Sequence, residues 1–485
     1  MSFDPLLMKQ AVFINGAWLP ADSGETLDVT NPATGAVIGT IPNCGRSETA
    51  RAIEAAHLAF KDWKTLTAEA RGNLMHKLCD EIMAELDDLA ALLTTEMGKP
   101  LAEAKGEIAL GVKYIRFYAE EAKRVYGDVI PSPWGDRRIL VTKEPVGVAG
   151  AITPWNFPNS MIARKLGAAL AAGCTMVIKP SEFTPYSALV FGVMAERAGL
   201  PAGVVNIVTG DAPQIGAEMC ENPSLRKITI TGSTRVGKLL AENAGKHMKK
   251  ISMELGGNAP FIVFDDADLN KAVAGAIASK FRNSGQTCVC ANRIYVQAGI
   301  YDAFAQKLKE AMDAQLTPGN GLDTGVTQGP LINDAALAKV EAHVSDALGK
   351  GATLMTGGTR VEGAGTFYAP TLVTGATLDM RVAREETFGP FAALFKFDTE
   401  DEAIARANDT EYGLACYFYT QDLGRTFRVM ERLEYGLVGV NEGVITTEVA
   451  PFGGFKDSGI GNEGSKYGLD DYLNLKYACL GGLGV

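Results

Sequence analysis

Residues 146–158 read Val-Gly-Val-Ala-Gly-Ala-Ile-Thr-Pro-Trp-Asn-Phe-Pro. The run 146–152 has no polar side to show to water, which predicts a short strand buried on both faces. Pro154 and Pro158 then frame Trp155-Asn156-Phe157, and 159–172 has helical periodicity. The same texture recurs downstream, with strands over 175–178, 204–208 and 227–230 and helices over 184–198 and 234–245. Short apolar strands joined by helices predict a parallel, doubly wound sheet. In such a sheet ligands sit beyond the carboxyl ends of the strands, and Thr153 to Phe157 leave from such an end.

Working outward, 48–63 and 67–97 carry one apolar and one charged face each, as amphipathic helices do. Gly98-Lys99-Pro100 ends the second, and a further helix runs over about 101–124. Strands are expected at 126–130 and 138–143 around a turn-rich tip, 131–136. Such an arm has little core of its own and suits pairing with another subunit, and 472–479 is a strand able to join it. A strand at 261–264 and a helix at 268–283 open a second α/β region that continues to about 455.

With 485 residues the chain exceeds one compact core, so two or more domains are expected. Apolar residues at 47% and charged residues at 21% are ordinary globular proportions. A net charge of −11 argues against nucleic acid or an anionic membrane as partner. No apolar run reaches the roughly 18–20 residues that span a bilayer, and the opening Met1-Ser2-Phe3-Asp4 lacks a secretion signal's pattern. A cytoplasmic location is expected. Of eight cysteines, Cys44, Cys79, Cys174, Cys220, Cys416 and Cys479 stand alone, as buried thiols in a reducing compartment would. Four histidines, none in ligand spacing, give no reason to expect a metal.

Several short segments carry chemistry. Cys288, in Gly285-Gln286-Thr287-Cys288-Val289-Cys290, follows a helix in a glycine-containing loop; it reads equally as a nucleophile presented to a cleft or as a buried thiol. Glu254, in Met253-Glu254-Leu255-Gly256-Gly257, is a partly desolvated carboxylate suited to general-base work or a plain turn glutamate. The Asn156 amide could donate to an oxyanion. Thr231-Gly232-Ser233-Thr234 places free N–H groups at a helix N-terminus, where phosphate is favoured. Gly459-x-Gly461-x-x-Gly464 matches a dinucleotide fingerprint but follows no strand, and is rejected as one. Arg164 and Arg282, on the helices after the Asn156 loop and before the Cys288 loop, either bind a substrate carboxylate or form ordinary ion pairs.

Taken together, Pro154-Trp155-Asn156-Phe157-Pro158, Lys179-Pro180-Ser181-Glu182, Thr231-Gly232-Ser233, Glu254-Leu255-Gly256-Gly257, Gly285-Gln286-Thr287-Cys288, Glu386-Thr387-Phe388-Gly389-Pro390 and Pro451-Phe452-Gly453-Gly454 resemble the aldehyde dehydrogenase superfamily in order, spacing and identity. The stretch 280–293, with its second cysteine, and Gly464-Ser465-Lys466-Tyr467-Gly468 are similar to the succinate-semialdehyde dehydrogenases.

The resemblance implies an α/β fold with a doubly wound NAD-binding domain (1–125 and 145–256), a catalytic α/β domain (257–455) and an oligomerisation arm (126–144 and 456–485). It implies Cys288 as nucleophile, Glu254 as base and Asn156 as oxyanion donor. It also implies Arg164, Arg282 and Thr446 around a substrate's distal carboxylate, and Cys290 as a neutral neighbour or a redox partner of Cys288. Serine is usual in that subfamily where this chain has Thr446, which leaves glutarate semialdehyde as an alternative substrate. NAD, with NADP as the second possibility, is expected to meet Thr153, Trp155, Lys179, Ser181, Glu182, Gly232, Ser233, Leu255, Glu386 and Phe388. A carboxylate at Glu182 would repel a 2′-phosphate and favour NAD. A homodimer or homotetramer is expected.

Overall fold

Strands β1 (Val148–Ile152), β2 (Thr175–Lys179), β3 (Leu225–Thr231) and β4 (Lys250–Glu254) form the centre of an eight-stranded sheet, in the order β2, β1, β3, β4. All of these neighbours run parallel. The computed structural model describes residues 4–482; Met1, Ser2 and Phe3, at the start read above as carrying no secretion signal, lie outside them. From β1 the chain winds through β2 to Val205–Ile207 on one side, then crosses to β3 on the other. The strand order therefore reverses between β1 and β3, the place where an open α/β sheet forms its ligand crevice. Register decides what reaches that rim. Ile152 lies beside both Lys179 and Ile230, and Thr231 beside Glu254, so Thr153, Lys179, Gly232 and Glu254 emerge side by side.

Among the described residues four α-helices precede these strands: Arg46–Trp63, Ala68–Ala84, Leu86–Met97 and α1 (Leu101–Glu121). The stretch expected as one helix over 67–97 is two, because Glu85 (φ −104°, ψ 17°) ends the first and opens the second. Helix α2 (Ser160–Ala172) follows the Asn156 loop, and every residue of it is buried. It crosses α1 at close range, where a Cβ on Gly111 would lie 3.0 Å from that of Ala163. Trp63, Tyr114, Tyr118, Leu166 and Phe191 fill the core between helices and sheet. Burying each such large apolar side chain contributes about 1.5–3 kcal/mol. Beyond β3, helix α3 (Thr234–Lys246) covers the opposite face through Leu240, against Val148 and Ile228.

Strands β5 (Ala259–Val263) and β6 (Ala291–Gln297) lie at the centre of a second, seven-stranded sheet. It is parallel except for the edge strand Thr353–Thr356. Helix α4 (Leu269–Lys280) ends earlier than the expected 283. Arg282 instead lies in a short turn, Arg282–Gly285, where Asn283 and Ser284 take left-handed φ values of 52° and 53°. That conformation is held from outside, since Glu103 Oε2 accepts from Asn283 N at 2.8 Å and Ser284 Oγ donates to the Gly329 carbonyl at 2.9 Å.

The arm is a three-stranded antiparallel sheet of Asp128–Ile130, Arg138–Pro145 and Leu473–Leu480. The stretch 456–485 is divided between sheets, because Gly459–Ile460 pairs antiparallel with β4, placing Gly459 opposite Glu254. Two further features differ from expectation. Cys479 is exposed on the arm rather than buried. An antiparallel hairpin, Val12–Ile14 with Ala17–Leu19, extends the first sheet through a turn at Asn15-Gly16 (φ 53° and 73°).

Candidate active site

The Asn156 loop is fixed at both ends. Thr153 N donates to the Lys179 carbonyl at 3.1 Å, which keeps the loop in line with β2. At the far end α2 has no capping side chain of its own, and Glu107 Oε1 on α1 accepts from the N–H groups of Asn159 (2.9 Å) and Ser160 (3.1 Å). Between them Asn156 is buried, and its Nδ2 donates to the Gln286 carbonyl at 2.9 Å. That contact joins the rim of the first sheet to the cysteine loop.

Cys288 is part-exposed at the amino end of β6. A Cβ on Gly257 would come 2.6 Å from the Cys288 carbonyl oxygen, so only glycine lets the strand after Glu254 pass this close. Burial pushes the Cys288 thiol up to about 12; Glu386 and Glu254 add to this, and Arg164 opposes it. Cys290 is buried and its thiol donates to the Lys280 carbonyl at 3.1 Å.

Glu254 ends β4 fully within the protein, and its Oε2 has no hydrogen-bond partner. Burial holds its carboxyl well above the usual range, Glu463 and Asp471 raise it further, and Lys165 and Arg164 pull it down. Lys165 Nζ donates to Thr231 Oγ1 at 2.6 Å and to Glu463. Arg164 reaches Glu463 at 3.5 Å, and its guanidinium lies between the Tyr114 and Phe452 rings at 4.7 and 4.9 Å. Lys165 and Glu463 escaped the sequence reading. Glu463 falls inside the glycine motif rejected as a fingerprint, and the carboxylate's burial has no local signature.

A cleft of about 290 Å³ is walled by Phe157, Met161, Arg164, Arg282, Cys288 and Thr446, among others. An adjoining pocket of about 240 Å³ shares Arg282 and Thr446. The Arg282 guanidinium lies 5.0 Å from the centre of the Phe157 ring. Both arginines of the sequence reading thus face the same space as the cysteine, although Arg282 reaches it from a turn and not from a helix.

The residues expected to meet a dinucleotide line the rim beside this cleft. Thr153 is buried with an unpartnered Oγ1. Trp155 meets Phe388 edge to face, with ring centres 5.5 Å apart. Phe388 has a left-handed φ of 58°. Lys179 Nζ reaches Glu182 Oε2 at 3.3 Å, and the Glu182 side chain is 44% exposed. Ser181 Oγ accepts from Phe183 N, and Ser233 Oγ caps α3 by accepting from Val236 N. Gly232 N donates to the Glu254 carbonyl, and Leu255 packs against Gly237 of α3. Glu386 Oε1 accepts from Gly257 N at 3.2 Å, and burial pushes its carboxyl up to about 7.

The pattern that defines the aldehyde dehydrogenase family matches residues 18–478. The chain is 58% identical over 480 residues to a 3-sulfolactaldehyde dehydrogenase of Pseudomonas putida and 57% identical over 480 residues to a glutarate-semialdehyde dehydrogenase of Pseudomonas aeruginosa. It is 57% identical over 478 residues to an NADP(+) succinate-semialdehyde dehydrogenase of Escherichia coli. Each alignment covers 99% of both chains. The crystal structure of succinate-semialdehyde dehydrogenase from Burkholderia pseudomallei superimposes with a TM-score of 0.98 at 56% identity, covering 99% of each chain. The match over residues 18–478 and the superposition over nearly the whole chain show that the chain belongs to the aldehyde dehydrogenase family.

Proposed function

We propose that this enzyme oxidises a short ω-carboxy aldehyde, succinate semialdehyde in the first place, to the acid, with NAD(P) as hydride acceptor. The observation that carries the reading is the presence of Arg164, Arg282 and Cys288 on the wall of one cleft. The relatives named above act on succinate semialdehyde, glutarate semialdehyde or 3-sulfolactaldehyde, and all three substrates pair an aldehyde with an anionic far end. Two guanidinium groups suit that anion, and Arg164 Nε is a buried donor without a partner. Thr446, which lines both pockets, keeps the longer glutarate semialdehyde as the second reading.

In this reading the Cys288 thiol gives up its proton to solvent, Sγ adds as thiolate to the carbonyl carbon and the aldehyde oxygen becomes an oxyanion. Asn156 has one amide N–H committed to Gln286 and a second free to hold that oxyanion. NAD(P) held by the rim residues would supply the hydride acceptor for that carbon, and loss of the hydride would leave a thioester on Cys288. Glu254 takes a proton from water, whose oxygen attacks the thioester; the acid leaves and the thiol is restored. Arg164 and Arg282 hold the far end, so that the reacting carbon meets Cys288 in a fixed pose. The Asn156→Ala variant is expected to lose about 10²–10³-fold in kcat. An unaltered kcat would remove the oxyanion role.

The rim suits a dinucleotide. The unpartnered Thr153 hydroxyl, the exposed N-terminus of α3 and the carboxylates of Glu182 and Glu386 are groups that ribose and pyrophosphate can satisfy. Taken as a neighbour of the adenosine ribose, the Glu182 carboxylate would repel a 2′-phosphate, so kcat/KM with NAD is expected to exceed that with NADP. Glu182→Gln is expected to narrow the gap about tenfold. Equal efficiencies with both cofactors in the unaltered enzyme would contradict this.

The proposal includes the division stated from sequence, with 1–125 and 145–256 holding the cofactor, 257–455 the chemistry and 126–144 with 456–485 the arm. It also includes a cytoplasmic homodimer or homotetramer built through the arm, whose Val129, Trp134, Leu475 and Tyr477 are exposed. Among the described residues no helix is long and apolar enough to cross a membrane. Cys290 is read as either inert or a reversible partner of Cys288 under peroxide, an oxidation that dithiothreitol would reverse.

A panel of aldehydes assayed by NAD(P)H formation tests the function. Succinate and glutarate semialdehydes are expected to exceed uncharged aldehydes of equal length by about 10²-fold in kcat/KM. Equal efficiency would overturn the carboxylate reading, and the order of the two semialdehydes decides between the substrates.

A further inference from the structure

The proposed chemistry needs the Asn156 amide and the Cys288 sulfur at a fixed separation. Asn156 and Gln286, which join the two loops, are 130 positions apart in the chain, and each loop leaves a different sheet. A single side-chain hydrogen bond is a weak way to hold two loops together. The structure supplies more beneath it.

Lys99 and Glu107 form an ion pair at 2.5 Å with both side chains fully buried. Lys99 Nζ also donates to the Asn156 carbonyl at 2.7 Å and lies 3.7 Å from the centre of the Phe157 ring. Glu107 accepts from the first two N–H groups of α2. Asn283 Nδ2 gives the Asn156 carbonyl its second donor at 3.0 Å and reaches the Gln286 carbonyl at 3.2 Å. Asn283 is itself held through its N–H by Glu103, one turn before Glu107 on α1. One helix start therefore grips the loop before α2 from below and the cysteine loop from the side.

A buried ion pair is a poor way to gain stability, since apolar residues of similar volume often serve as well. What an apolar pair could not supply is the donor that joins Asn283 on the Asn156 carbonyl, and a cap on a helix without its own. A carbonyl with both lone pairs engaged fixes the peptide plane after Asn156, and with it the direction of the Asn156 side chain.

We propose that Lys99 and Glu107 are positioning residues for the oxyanion-holding amide: their buried pair, with Asn283, sets where Asn156 stands relative to Cys288. The proposal rests on the reading that Asn156 holds the oxyanion. Neither Lys99 nor Glu107 touches the reacting atoms; they act through Asn156.

A double-mutant cycle tests it. Lys99→Met with Glu107→Gln removes both charges together, and the glutamine still offers an acceptor to α2. This variant is expected to lose about 10–100-fold in kcat while KM for aldehyde and NAD(P) stays within about threefold. The same pair of changes made on Asn156→Ala is expected to cost less than about threefold further, because the group being positioned is gone. Asn283→Gly, which keeps the left-handed backbone and adds no buried charge, is expected to lose about tenfold with the same non-additivity, and carries the test if the first variant does not fold. Unaltered kcat in either folded variant, or equal fold-losses with and without Asn156, would overturn the proposal. Unaltered kcat in Asn156→Ala alone would instead sink the oxyanion reading, so the two failures are told apart.

Discussion

Exchange of Cys288 for alanine is expected to lower kcat for aldehyde oxidation by about 10⁴-fold or more, because the covalent route then has no nucleophile. Binding of NAD(P), followed by cofactor fluorescence, should stay within about twofold, since Cys288 is not among the rim residues expected to hold the dinucleotide. Serine should not rescue the loss. The pocket already pushes a thiol up to about 12, and an alcohol starts from a far weaker acidity in the same dry surroundings. The same burial predicts that alkylation of the free enzyme at Cys288 accelerates as pH rises, since the thiolate is the reacting form. Aldehyde oxidation that survives in Cys288→Ala at more than a hundredth of the original rate would end the assignment.

Glu254→Gln is expected to slow turnover by about 10²–10⁴-fold while leaving the first hydride transfer. Rapid mixing should then show one equivalent of NAD(P)H per site followed by a stall, the mark of a thioester that forms and is not hydrolysed. A variant that loses the burst as well would move Glu254 from hydrolysis to thiol activation. The pH profile follows from the same group. Its carboxyl is held well above the usual range by burial and then by Glu463, and only the ionised form accepts a proton. Hydrolysis therefore rises with pH through that elevated value. Glu463→Gln removes the like charge and leaves Lys165 and Arg164 nearby, so the acid limb is expected to move to lower pH. A limb that stays in place would show that a different group controls it.

The parts of the site legible in the sequence share a form. Asn156 and Cys288 each sit in, and Glu254 leads into, a short loop marked by proline or glycine, next to an apolar strand or a helix end. Their neighbours show why such loops are punctuated: Gly257 is needed because any Cβ there would come 2.6 Å from the Cys288 carbonyl oxygen. The residues beneath them left no such mark. Lys99 read only as part of a helix stop and Glu107 as one more charge on an amphipathic helix. Their role comes from pairing with Asn156 across 57 positions and with Asn159 across 52. The break at Glu85 was hidden because apolar periodicity runs on through it. The hairpin at 12–19 was legible but unread: Asn15-Gly16 is the two-residue turn that a right-twisted ribbon favours, though strands of three residues give little periodicity.

Glu463 is brought to Arg164, 299 positions earlier in the chain, by the pairing of Gly459–Ile460 with β4 and by its own antiparallel bridge to Phe452. On a ribosome adding about 5–20 residues per second, roughly 15–60 s separate the synthesis of those two side chains. Cys288 and strands β3 and β4 are made within that interval, while Glu463, which raises the Glu254 carboxyl, is made only at its end. In the proposed chemistry the setting of Glu254 is therefore completed late in synthesis, after the last strand of the second sheet, Leu437–Val440, has been made.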